Sequence, residues 1–132
     1  MKRSLMLAGL ALAIVFTGIG CSSTSATGPG EKKLTLLKPM DQSLKRGELN
    51  KVAITVVRKN FTTDVPVRFE NLPDGVKVVE KDKKIEEDQY IVNYTMFAAN
   101  DADLVAGHVV KVTAEGPDGL KVTESFEVSV KE

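Results

Sequence analysis

From Leu34 onward the chain alternates apolar and polar residues in short runs separated by turn residues. A period of two predicts strands, not helices. "KLTLLKP" is the first predicted strand, and Pro39 ends it because proline cannot donate to a ladder. "MDQSLKRG" reads as a connection. "ELNKVAITVVRK" is the longest early strand, with Val52, Ile54 and Val56 on one face and Lys51, Ala53, Thr55 and Val57 on the other. In "VPVRFENL", Val65, Val67 and Phe69 alternate with Pro66, Arg68 and Glu70, and Pro66 predicts an edge position or the first residues of a strand.

"PDG" at Pro73, Asp74 and Gly75 predicts a turn, since proline presets φ, aspartate bonds its own backbone and glycine accepts positive φ. "VKVV" follows as a short strand. "EKDKKIEEDQ" has no apolar stripe and reads as a solvated loop, with Ile85 dipping into the core. "YIVNYTMFAA" predicts a strand with Tyr90, Val92, Tyr94 and Met96 on its core face. "NDADLVAG" leads to the strand "HVVKVTAEG", the second "PDG" (Pro117 to Gly119) is a hairpin turn, and "LKVTESFEVSV" is the last strand. Glu124 falls on the apolar parity of that strand, so a bulge or a rim-to-core crossing is expected there.

About seven antiparallel strands with one apolar face each predict two packed sheets. The expected fold class is all-β, an immunoglobulin-like β-sandwich over residues 34–132, without the cysteine pair or tryptophan of antibody domains. Its core would rest on aliphatic residues with Phe69, Phe126, Tyr94 and either Phe61 or Phe97. Each large side chain buried contributes about 1.5–3 kcal/mol, enough to stabilise a domain without disulfides.

The N-terminus has a different texture. Lys2 and Arg3 precede the apolar run "LMLAGLALAIVF", which is shorter than the roughly 20 residues of a bilayer-spanning helix. This is the pattern of an export signal over residues 1–20. Residues 22–33, "SSTSATGPGEKK", hold little to bury, so residues 21–33 are expected to be a flexible Ser/Thr/Gly tether. The chain balances 18 basic against 18 acidic residues, and no Lys/Arg cluster favours a nucleic-acid partner.

Candidate chemistry is sparse. His108 is the only histidine and Cys21 the only cysteine, so a zinc site of the usual kind is not expected. "NDAD", with Asn100, Asp101 and Asp103, is rich in oxygen ligands but lacks calcium-loop spacing. Glu86, Glu87 and Asp88 are diluted by neighbouring lysines. No nucleophile elbow, triad or phosphate loop is present, and the expectation is a non-enzyme with no cofactor and no metal.

The segment ending at Cys21 resembles a bacterial lipoprotein signal peptide. In its lipobox Gly18 stands at the position where an aliphatic residue is usual, followed by Ile19, Gly20 and the acceptor Cys21. The resemblance implies cleavage before Cys21, acylation of that cysteine including a palmitate-type chain, and a membrane-lipid partner. Ser22 in the next position leans towards the outer membrane of the cell envelope. Acylation would also remove a lone thiol from an oxidising compartment. The alternatives are an ordinary secretory peptide that leaves a stray thiol, and an uncleaved anchor.

A second resemblance covers most of residues 34–131. The run "VAITVVRKNFTTDVPVRFENLPDGVKV" is similar to Ig-like modules of secreted and cell-surface bacterial proteins, through Arg58, Phe61, Leu72, Pro73, Gly75 and Val76. It implies a fold and a surface setting, and no catalytic residue. The expected function is binding of an envelope protein or polysaccharide by a lipid-anchored domain, through a surface patch or strand addition at an exposed edge. Phe61, Val65, Pro66 and Phe69 are the candidate partner-binding residues, Phe61 on the condition that it is exposed on its loop; the alternative is that it plugs the end of the sandwich. Alternatives are a structural or accessory subunit of an envelope assembly, and a carbohydrate-binding module.

Overall fold

The computed structural model describes residues 23–132. The signal segment, Gly18, Ile19, Gly20, Cys21 and Ser22 lie outside the described residues. Ten strands form among the described residues: β1 Ser23–Thr27, β2 Lys33–Leu37, β3 Gln42–Lys45, β4 Leu49–Lys59, β5 Val65–Glu70, β6 Val76–Val78, β7 Lys84–Ile85, β8 Ile91–Ala98, β9 Val105–Glu115 and β10 Lys121–Lys131. One sheet has the order β1-β2-β4-β8-β6 and the other β3-β10-β9-β5-β7.

Without β1, β3 and β7, the first sheet is β2-β4-β8-β6 and the second β10-β9-β5. This is the strand order of immunoglobulin sandwiches, four strands against three. The chain is an all-β immunoglobulin-like β-sandwich. The fold follows from packing of the alternating faces: Leu34, Leu36, Val52, Ile54, Val56, Val92, Tyr94 and Met96 of the first sheet meet Leu44, Val110, Val112, Val122, Phe126 and Val128 of the second, all buried. Phe69 lies edge-on to Tyr94 (centroids 5.3 Å apart) and to Phe126 (6.3 Å), so three aromatic rings knit the two sheets together. Of the two further candidate core rings, Phe61 packs against the core, whereas half-exposed Phe97 lies beneath the Lys77 ammonium, 5.7 Å from its centroid.

Three strands were not expected. β1 falls in the segment read as a flexible tether. It pairs antiparallel with β2 along its whole length, from Ser23 opposite Leu37 to Thr27 opposite Lys33. Its polar composition gives no apolar signal, but the exposed edge of β2 supplies a hydrogen-bonding template. Ala26 packs on the core and Thr24 Oγ1 donates to Glu124 Oε2 at 2.6 Å. Ser23–Thr27 therefore belong to the first sheet, ahead of Leu34. β3 lies in the predicted connection and pairs parallel with β10, from Gln42 opposite Val128 to Lys45 opposite Lys131. Only Leu44 of its four residues is buried, too little to register as alternation. β7 is two residues long and brings buried Ile85 beside Val65, so Ile85 does enter the core.

Glu124 does not sit at a bulge. The register of β10 against β9 runs unbroken from Lys121 to Val128 and shifts only between Val128 and Val130. Glu124 keeps the inward parity, half-buried at the edge of the sandwich, where the Thr24 hydroxyl satisfies it. Tyr90 shares the core parity of Val92 and Tyr94 but precedes β8 and is 66% exposed.

Candidate functional site

The two "PDG" turns do different work. Pro117–Gly119 closes the β9–β10 hairpin, with the Leu120 amide donating to Pro117 O at 3.1 Å. Pro73–Gly75 carries the chain from β5 in one sheet to β6 in the other, with the Val76 amide donating to Pro73 O at 3.0 Å. Gly75 has φ +86°, and a Cβ there would lie 2.5 Å from Ala102 Cα, so both the conformation and the close approach require glycine.

After this turn β6 lasts three residues, and residues 79–83 cross back towards β7. The crossing is fastened at two points. The Tyr94 hydroxyl donates to Lys83 O at 2.6 Å. Glu80 accepts from the Thr95 amide (2.6 Å) and the Thr95 hydroxyl (2.8 Å), so its carboxylate takes the ladder position that a longer β6 would fill. The Thr95 amide bond holds Glu80 below the ordinary carboxylate range, against a smaller opposing effect of desolvation. Burial, with the Glu80 charge adding to it, pushes the Tyr94 hydroxyl up to about 12.

Because the crossing stands away from β5, a groove of about 320 Å³ opens between β5 and β6. Val67, Phe69, Leu72 and Val78 give it an apolar floor. Arg68, Glu70, Lys77, Glu80 and Lys81 form its rim. β5 is bound on one side by β9 through Val67–Glu70 and on the other by β7 only at Val65 and Pro66. Among the described residues, no strand pairs with Val67–Glu70 on the groove side. Pro66 thus sits where the edge is covered, and the open stretch begins one residue later.

The four sequence candidates do not converge. Phe69 lines the groove. Val65 is fully buried beneath β7, and Pro66 is paired with Lys84. Phe61 packs against the core above the β9–β10 turn, where a Cβ on Gly116 would touch its Cζ at 3.4 Å. It plugs one end of the sandwich and is not an exposed anchor. Arg58, a residue of the Ig-module resemblance, has a structural task. Its guanidinium donates to Thr63 O, Gln89 O, Ile85 O and Glu86 O at 2.6–2.9 Å, binding β7 and its flanking loop to the end of β4. Lys77, Glu80 and Lys81 were not singled out from sequence, and Leu72 only as a residue of the Ig-module resemblance. They become neighbours only through the short β6 and the crossing after it.

His108 Nε2 lies 2.8 Å from Asn71 O. A carbonyl only accepts, so this nitrogen carries the proton and braces the turn after β5. Asp103 donates its amide to Asp74 O at 3.0 Å. Among the described residues no three His, Cys, Asp or Glu side chains come together as a metal site would need.

No family model matches the chain, and no curated protein matches it. Among solved structures it is similar to a chimeric titin Z1Z2 functionalised with a KLER peptide from decorin: 17% identical over 74% of this chain and 93% of that one, TM-score 0.45. It is similar to the BIgI domain of beta protein from S. agalactiae bound to CEACAM1: 15% identical over 74% and 96%, TM-score 0.46. A titin M10–obscurin-like 1 Ig complex is 13% identical over 70% and 86%, TM-score 0.43.

Proposed function

We propose that this chain is a lipid-anchored protein of the cell envelope that uses its Ig-like domain for non-catalytic binding of a partner protein. The anchor is the acylated Cys21, and the outer membrane is the expected location. The observation that carries the binding role is the groove beside the open edge of β5. An extended segment of the partner adds a strand along Val67–Glu70 and seats an apolar side chain on Phe69, Leu72 and Val78. The mixed rim of Arg68, Glu70, Lys77 and Lys81 sets orientation through charge.

The test is site-specific photocrosslinking in intact cells, with the photoreactive residue placed at Glu70 or Lys77 and, as a control, at Lys121 on the far side of the second sheet. A discrete adduct from the two groove positions and none from Lys121 is the expected result. Adducts from Lys121 alone would remove the groove from the proposal. The anchor is tested separately by the intact mass of the mature protein from membranes beside a Cys21→Ser control. A chain starting at Cys21 with added acyl mass is expected, and an unacylated mature chain would refute the anchor.

A further inference from the structure

The outward face of the β1-β2-β4-β8-β6 sheet has an unusual charge pattern. Its registers stack the exposed residues in rows across the strands. The outermost row is Thr27, Lys33 and Lys59, and the next is Ser25, Thr35 and Val57. Ser23 lies opposite Leu37 and Thr55 opposite Ile91, side by side at the middle of the sheet. Ala53 and Asn93 follow, then Lys51 and Thr95, and last Leu49 and Lys77 on either side of Phe97. No strand residue on this face carries a negative charge. Among the described residues, Glu80 brings a carboxylate to it, bound to Thr95 from beyond β6, and the Lys83 ammonium lies 3.4 Å from Asn93 O.

The apolar residues of this face are also exposed: Leu37 by 37%, Leu49 by 60%, Val57 by 49% and Ile91 by 56%. Leu37, Val57 and Ile91 surround Thr55 at the centre, with lysines towards both ends. Lys33 and Lys59 are directly opposite each other, a like-charge pair that is unfavourable in the isolated domain. The outward face of the other sheet differs, because Glu70, Glu115 and Glu127 intersperse its cations and Arg68 pairs with Glu115 at 2.6 Å.

The point where the chain enters the domain joins these observations. β1 begins at Ser23, in the central row and two residues after Cys21. Two residues span at most about 7 Å, so Cys21, if acylated, would bring its lipid within that reach of Ser23. We infer that the lysine-rich outer face of the first sheet lies flat on the bilayer that holds the anchor. The lysines meet anionic phospholipid headgroups while Leu37, Val57 and Ile91 enter the interface. The inference rests on the anchor reading for this proximity.

The experiment places the mature protein in phosphatidylcholine vesicles with or without phosphatidylglycerol, and reads lysine acetylation rates by mass spectrometry. Lys33, Lys51, Lys59 and Lys77 are expected to be slowed on the anionic vesicles, with Lys111, Lys121 and Lys131 unchanged and the protection lost at high salt. Each lysine contributes about fivefold to docking, so the Lys33→Gln, Lys59→Gln double variant should weaken it by roughly 25-fold, seen as lost protection at Lys51 and Lys77. That variant removes a repulsive pair, so its fold is expected to survive. Equal labelling of both faces on anionic vesicles would overturn the inference, as would protection by dextran sulfate with none by vesicles, which would mark a polysaccharide-binding face. Intact mass separates the two readings. An unacylated chain whose face is still protected leaves the docking standing without the anchor, and an acylated chain labelled equally leaves the anchor without the docking.

Discussion

Replacing Thr24 with Val tests whether the segment before Lys33 is a strand or a tether. The two side chains have nearly the same shape, so the change removes little except the hydroxyl that donates to Glu124 at 2.6 Å. A hydrogen bond to a charged group contributes about 1.5–3 kcal/mol, and solvent at half-buried Thr24 and Glu124 reduces this to about 1 kcal/mol. No β1 residue is fully buried, so the strand is held mainly by its pairing with β2, this bond and a 2.7 Å Ser25–Thr35 hydroxyl contact. Its detachment is therefore a local opening, more readily seen in amide exchange than in the global unfolding midpoint. The β1 amides that bond to β2 should be protected in the parent protein and exchange about fivefold faster in Thr24→Val, with β4 and β9 unchanged. Random-coil exchange of Ser23–Thr27 in the parent, or no difference in the variant, would refute the pairing and restore the tether.

Other consequences can be measured on the same protein. Tyr94→Phe keeps the buried ring but leaves Lys83 O without its donor, so urea unfolding should show a loss of about 1–2 kcal/mol. Glu80 is held below its ordinary value of 4.5, so its bonds to Thr95 stabilise the fold above that pH and are lost as pH falls through the lower folded value; Glu80→Gln should flatten this acid limb in denaturation curves. Gly75→Ala and Gly119→Ala share a cost of about 1 kcal/mol for positive φ, but only Gly75→Ala also drives a Cβ into Ala102, so its melting temperature should fall markedly further. Equal shifts for the two glycine variants would contradict the close approach.

The strands that announced themselves in the sequence are those with several inward residues at a spacing of two. Val52, Ile54 and Val56 define β4, and Phe126, Val128 and Val130 define β10, because burial itself imposes the alternation. β1 and β3 are strands for another reason: each completes the hydrogen bonds of a neighbour, and a backbone template leaves almost no mark on side-chain choice. The groove was only half legible. Pro66 pointed to the β5 edge and Phe69 lies in the groove, but its opening depends on β6 stopping at Val78. The amide of Thr95, left without a strand partner there, is what recruits Glu80. Phe61 was open to two readings because a ring on a loop looks the same in sequence whether it faces solvent or caps a core; it packs against the core.

The antiparallel pairing of β1 with β2 also sets how the domain bears mechanical load. Any pull transmitted through the residues before Ser23 enters along β1. The hydrogen bonds to β2 run perpendicular to the strands, so tension along the strand axis shears the whole pairing at once. Tension at right angles to the edge peels it open from Ser23–Leu37 inward, one contact after another. The attachment is therefore tough lengthwise and weak sideways, and the direction of tugging decides whether β1 holds or releases the ten residues from Ser23 to Lys32 as slack.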